Sequence, residues 1–184
     1  MPVGDDALRE AISRYTEWVY RVSVTGAGVP AEEWRAPLFT YLLTNKQFNE
    51  LKVICSRQGW PPPPGRGITF FPHVISHILT ARTGKDRLTW QECATVLTAA
   101  LSPRSTVAVQ KSHDQQVIVL NSVDVLRVGK TQEKYRGMLI VEVTIKNLAP
   151  VTAYHASEAS CHSEKRQIGC NQSGVRHPER LSAT

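Results

Sequence analysis

Apolar residues return along this chain with two different periods. Through residue 101 they recur every three or four positions, the spacing of one helix face. From residue 106 to residue 154 they alternate with polar ones, the spacing of a strand. Residues 5–20 read as a helix, with Leu8, Ile12, Tyr15 and Val19 on one face and Asp5 and Asp6 able to cap its start. After a loop ending at Pro30, a second helix is predicted from Ala31 to Arg57, with a break near Thr44-Asn45. Its acidic start (Glu32, Glu33) and basic end (Lys52, Arg57) suit the helix dipole. Trp18, Trp34, Phe39 and Leu43 are packing residues in this reading.

Pro61–Pro64 interrupt the helical pattern with four consecutive prolines, for which polyproline II is the natural conformation. They read as a linker, 61–65, between a helical prefix, 1–60, and a basic domain; a docking ligand for an SH3-type module is the alternative. The stretch Ile68–Arg82 then reads as a short helix with two unlike sides. Val74, Ile75, Ile78 and Leu79 gather on one, and His73, Ser76, His77 and Thr80 on the other. Pro72 suits the first turn, where its missing N–H would have no partner. His73 and His77, four apart, place their rings one above the other on the water side, with Arg82 and Lys85 in the loop just beyond. Thr89 and Glu92 form a capping box for the next helix, which Ser102-Pro103 ends.

Strands are predicted at Thr106–Gln110, Gln116–Leu120, Val123–Val128, Gly137–Lys146 and Val151–Tyr154, separated by turn-forming residues. In the longest, Leu139, Val141, Val143 and Ile145 face one way and Glu142, Thr144 and Lys146 the other. That alternation describes an antiparallel sheet with one buried and one wet face. The fold class expected is α+β: N-terminal helices followed by a four- to five-stranded antiparallel sheet packed against helices. Residues 66–155 would be the main domain. From Ala156 to Thr184 the chain has almost no large apolar residues and is expected to be a flexible tail.

Charge sharpens this picture once it is located. Residues 1–59 carry seven basic and seven acidic side chains, whereas residues 60–155 carry eleven Lys/Arg against six Asp/Glu. A basic excess confined to one region favours a polyanionic partner. No run of about 18 apolar residues exists, which excludes a membrane span, and no secretory signal is visible at the start. Cys55, Cys93, Cys161 and Cys170 form no CxxC pair and read as reduced thiols of a cytoplasmic protein. The spacing of Cys161, His162, Cys170 and His177 matches no usual zinc pattern, and His73-x-x-x-His77 lacks the glutamate of a zincin, so neither a metal nor another cofactor is expected. A phosphate-cradling Gly-rich loop, a G-x-S-x-G elbow and a paired-carboxylate constellation are absent from the sequence, which argues against NTPases, elbow-type hydrolases and glycosidases.

The run RGITFFPHVISHIL through LTWQECATVLTAALSPRSTVAV, then QQVIVLN, MLIVEVTIK and VTAYHAS, resembles the barnase/EndoU/colicin/RelE-like nuclease superfamily. The likeness is to its phage- and polymorphic-toxin-associated members, over roughly residues 66–155. It rests on the H-x-x-x-H helix, the L-T-x-x-x then L-x-P element and the closing V-T-A-Y strand. The resemblance implies a metal-independent endoribonuclease, a toxin or phage-linked effector, in which the 2′-hydroxyl of RNA attacks the adjacent phosphate. His77 is then the first choice for acid/base work, with His73 beside it and His155 and His113 as alternatives for the second role. Arg82, Lys85, Lys111 and Arg127 would hold phosphate, with Lys146 a further cation, and Thr152 and Tyr154 match the closing hydroxyl position. Histidine titrates near neutrality, and cations stabilise the charge that grows in the transition state, so the residue types suit the chemistry. RNA is the partner implied, with an immunity or antitoxin protein beside it. The competing readings are a nucleic-acid-binding module without turnover, and a protein-interaction module of a phage or defence system acting through residues 1–60 and the Pro61–Pro64 hinge.

Overall fold

The computed structural model describes residues 3–26, 28, 30–110, 116–130 and 133–157. In chain order the elements are α1 (Val3–Thr25), α2 (Ala31–Arg35), β1 (Phe39–Leu42), α3 (Asn45–Gln58), β2 (Gly67–Phe70), α4 (Pro72–Lys85), α5 (Trp90–Ala100), β3 (Thr106–Val109), β4 (Val117–Leu126), β5 (Tyr135–Val143) and β6 (Leu148–Ser157). The described strands form one six-stranded sheet in the order β1-β2-β6-β5-β4-β3, antiparallel throughout except for β2 and β6, which run parallel. The class is therefore α+β with a helical N-terminus, but the sheet is mixed and larger than the four to five antiparallel strands expected.

The extra strands come from segments predicted helical. Residues 31–57 divide at Pro37 and Thr44 into α2, β1 and α3. Thr44 and Gln47 make a capping box that starts α3, and Gly59, at φ 69°, ends it in the left-handed conformation glycine adopts most readily. Likewise Gly67–Phe70 is the strand β2, and α4 begins only at Pro72. Arg82 and Lys85 lie in the last turn of α4 rather than in a loop beyond it. The segment read as a helical prefix thus supplies an edge strand, and α1 packs on α5 and α4. Surface pairs Glu10–Arg14 and Glu17–Arg21, one turn apart, help α1 run to Thr25.

Two predicted strands are one. Asn121 and Ser122, read as a turn, lie inside β4 at an irregularity between Asn121 and Val125. Ser122 is buried there; its hydroxyl accepts from the Gly137 N–H at 2.9 Å and donates to the Asp124 carbonyl at 2.8 Å. The polar side chain thereby satisfies backbone groups that the bulge leaves out of the ladder. Ile145, expected on the apolar face, is 81% exposed because β5 stops at Val143.

The main core lies on the helix side of the sheet, where Leu139, Val141, Val143, Ile118, Leu120 and Ala153 meet Val74, Ile75, Ile78 and Leu79 of α4 and Val96, Leu97 and Ala100 of α5. The other face is not simply wet: Val117, Val119, Met138 and Ile140 form a second buried cluster there. The sheet curls enough for α3 to bridge its two ends. Buried Gln47 accepts from the Tyr41 hydroxyl (2.8 Å) and donates to the carbonyls of Ser102 and Ser105 (3.0 Å each), while Glu50 accepts from the Val107 N–H.

One contact sets how near α5 comes to the sheet. A Cβ on Gly137 would lie 2.5 Å from the Val96 carbonyl oxygen and 3.2 Å from the Ala100 nitrogen, both backbone atoms that cannot rotate away. Gly137→Ala is expected to destabilise the protein by about 3 kcal/mol through overpacking. Gly84→Ala, inside α4 with open space around it, should stabilise by about 0.5–1 kcal/mol through helix propensity. Denaturant unfolding of the two variants checks both signs; equal stabilities would refute the close-approach argument.

Candidate functional site

The expected catalytic set does not assemble. His73 and His77 are exposed on the side of α4 away from the core, and His73 stacks on Phe71 at 5.7 Å. Thr152 and Tyr154 pair with Ile140 and Met138 and so point to the sheet face that the helices do not cover. Helix and sheet therefore stand between the imidazole pair and the hydroxyls. Arg127 is exposed just past β4, and Lys146 is exposed in the β5–β6 turn. Lys111 and His113 lie outside the described residues, as do Cys161, His162, Cys170 and His177.

A different histidine is surrounded by charge. His155 on β6 pairs with Gly137 across the ladder, which points it to the helix side. Its ring meets the Tyr135 ring edge-on, with centroids 4.6 Å apart. Arg82 and Asp86 of α4 and Glu92 of α5 all act on it electrostatically. Burial holds the imidazole below its ordinary titration value; Asp86 and Glu92 oppose that, and Arg82 adds to it. The ring is thus favoured in its neutral form, with a nitrogen available as a base.

Arg82 is largely buried and donates through Nη1 to Asp86 Oδ2 at 2.6 Å. Its Nε and the Nδ1 of His155 are buried without a hydrogen-bond partner among the described residues. Each such atom costs about 1–3 kcal/mol, and the two side chains act on one another electrostatically.

Glu92 ties the surrounding loops together. One carboxylate oxygen accepts from the Thr89 N–H (2.8 Å) in the capping box, and the other accepts from the Gly129 N–H (2.7 Å) in the β4–β5 turn. These backbone hydrogen bonds hold its pKa below the ordinary carboxylate value. The α4–α5 loop and the β4–β5 turn therefore meet, and Gly129 sits against Leu88. Arg87 in that loop has φ 56°, a left-handed conformation uncommon for a long side chain, and its turn lets both Asp86 and Leu88 donate to the Arg82 carbonyl. Lys85, Arg87, Arg127, Lys130 and Lys134 are all exposed along this edge. Residues 82–92 with the described part of 126–135 hold six Lys/Arg against three Asp/Glu. The acids are engaged: Asp86 with Arg82, Glu92 with backbone, and Glu133 with the Tyr135 hydroxyl.

Sequence reading named Arg82, Lys85, Arg127 and His155, but ranked His77 and His73 above the last. It missed Asp86, Arg87, Lys130, Lys134 and Tyr135, for which only the local charge excess was a signal. Cys93, beside this cluster, is buried and its thiol pushed up to about 12, chiefly by that burial, so it is no nucleophile. Among the described residues no group of three His, Cys, Asp or Glu can hold a metal ion, and no helix is long and apolar enough to cross a membrane. Comparison of the chain with protein-family models, with curated proteins and with solved structures finds no match.

Both His155 and Glu92 bind protons less readily folded than unfolded, so the unfolded chain takes up protons first and stability falls as the pH falls. The His155 contribution starts to disappear near pH 6.5 and the Glu92 contribution near pH 4.5, each lost as the pH passes through the lower folded value. Thermal melts from pH 7.5 to 5 should show a falling Tm that flattens in His155→Gln, whose side chain does not titrate. Glu92→Ala should cost about 1–2 kcal/mol at pH 7 and speed hydrogen exchange at the Gly129 amide. A Tm independent of pH in the parent protein, or an unchanged Gly129 amide, would contradict this geometry.

Proposed function

We propose that this protein acts on RNA through the basic edge around His155, cleaving it without a metal. The observation that carries the reading is the coincidence in one place of a neutral, half-buried imidazole, the Arg82–Asp86 pair and a rim of exposed cations. The resemblance to the barnase/EndoU/colicin/RelE-like nucleases suggests the same chemistry, with the centre moved from the α4 histidines to β6. In this scheme His155 takes the proton of the 2′-hydroxyl as that oxygen bonds to phosphorus. Arg82 and the rim neutralise the nonbridging oxygens, and the imidazolium returns the proton to the departing 5′-oxygen. Asp86 keeps the guanidinium in place, and Tyr135 fixes the ring.

A second reading, RNA binding without turnover, is favoured by a specific fact: among the described residues His155 is the lone histidine of this cluster, with His73 and His77 on the far side of α4. The two readings share the surface and differ in the product. A toxin or phage setting, and an antitoxin partner covering the same edge, fit the first reading.

Incubation with single-stranded RNA in EDTA should give 2′,3′-cyclic phosphate ends. His155→Ala should lose on the order of 10²-fold in rate or more, and the His73→Ala/His77→Ala pair should lose little. Arg87→Gly should relieve backbone strain of about 1 kcal/mol while weakening RNA binding and lowering its salt dependence. Intact RNA with salt-sensitive binding would select the second reading. Activity that survives His155→Ala but not the α4 pair would overturn this placement of the site.

A further inference from the structure

The prolines stand apart from that surface. Ile68 of β2 pairs with Leu148 of β6, and the strands run parallel, so Pro61–Pro64 lie beyond the start of β6 while His155 sits near its end. Seven residues of strand separate the two levels, roughly 23 Å at about 3.3 Å per residue.

The segment is held at both ends and open between them. At its start the Trp60 N–H donates to the Cys55 carbonyl at 2.9 Å, closing α3, and the Trp60 side chain packs on the core. At its end the Leu43 N–H donates to the Arg66 carbonyl at 3.0 Å, joining the run to the β1–β2 pair. Pro61, Pro62 and Pro64 are exposed, and Pro63 is half-buried. None of the four has an N–H, and their rings fix φ near the polyproline II value. With three residues per turn, Pro61 and Pro64 fall on one edge of that helix.

Charge completes the pattern. Arg66 lies two residues after Pro64, is exposed, and rests over the Phe48 ring at 5.1 Å, with Lys52 over the same ring at 5.2 Å. A linker needs neither an oriented cation nor four rigid residues in six. Grooves that bind polyproline II are walled by aromatic rings that take Pro-x-x-Pro, and here the neighbouring guanidinium asks for an acid beside the groove.

We propose that Pro61–Arg66 is a docking ligand for an SH3-type module with an aromatic groove flanked by an acidic pocket, separate from the RNA-directed edge. The run is ordered before it binds, which removes most of the entropy such a ligand would otherwise lose.

The test titrates the full chain into an isotope-labelled SH3 domain that has an acidic pocket beside its aromatic groove. The parent protein should give saturable shifts at the groove. Pro61→Ala/Pro64→Ala, and separately Arg66→Glu, should each weaken binding by at least about tenfold, or about 1.4 kcal/mol. Melting curves verify that the variants fold, and the charge reversal at an exposed position keeps the test readable if the proline pair does not. Saturating single-stranded RNA should leave the shifts in place, whether or not the protein cleaves it. No saturable shift, variants indistinguishable from the parent, or displacement by RNA would each overturn the proposal.

Discussion

The distance between α5 and the sheet governs much of this molecule. Gly137 lets the Val96 carbonyl come within a span that no side chain would permit, and that approach seats the α5 residues Val96, Leu97 and Ala100 in the main core. It has a second consequence at the α5 N-terminus. Thr89 and Glu92 are brought to the level of the β4–β5 turn, where one carboxylate can cap the helix and hold Gly129 at once. Gly137 also pairs with His155 on the neighbouring strand, so the two lie on the same side of the sheet. The close approach of α5 and the placement of His155 thus meet at one residue pair.

Polar groups do the remaining long-range fixing. Gln47 uses its amide to join α3, β1 and the turn before β3, and Ser122 closes the bulge of β4 onto β5. These side chains are buried and satisfied, so each favours one register over its neighbours. Arg82 and His155 differ, because each keeps a buried nitrogen without a partner among the described residues. Thr16, Asn121 and Thr152 also keep a buried side-chain oxygen without a partner among the described residues, but of the five such groups only Arg82 and His155 act on one another electrostatically.

Much of the architecture was legible where signals were local. The Thr89–Glu92 box, Pro72 at the start of α4, the anchor face Val74–Leu79 and the inward run Leu139, Val141, Val143 all follow from spacing alone. Strands β1 and β2 were not legible, because four-residue strands bounded by helices carry too few alternations to compete with a helical period, and their partners lie far along the chain. The Asn121-Ser122 pair reads as a turn by composition; only the Gly137 N–H, fifteen residues away, makes it a bulge. The site divided in the same way. Arg82 and Lys85 could be named from charge, but which histidine Arg82 acts on depends on the helix face. His73 and His77 point outward because Val74, Ile75, Ile78 and Leu79 must point in, and His155 was placed by strand pairing that spacing does not encode.

The central claim is that polyanions meet this protein at the edge formed by the α4–α5 loop, the β4–β5 turn and the end of β6. The most direct measurement is an NMR titration with a short single-stranded RNA at low salt, in which His155 reports on one place and the His73–His77 pair on another. The account predicts that the His155 ring signals and the amides of residues 82–92 and 127–135 move together, that the movement fades as salt rises, and that the His73 and His77 rings stay still. Movement of the His73 and His77 signals with His155 unmoved would contradict it.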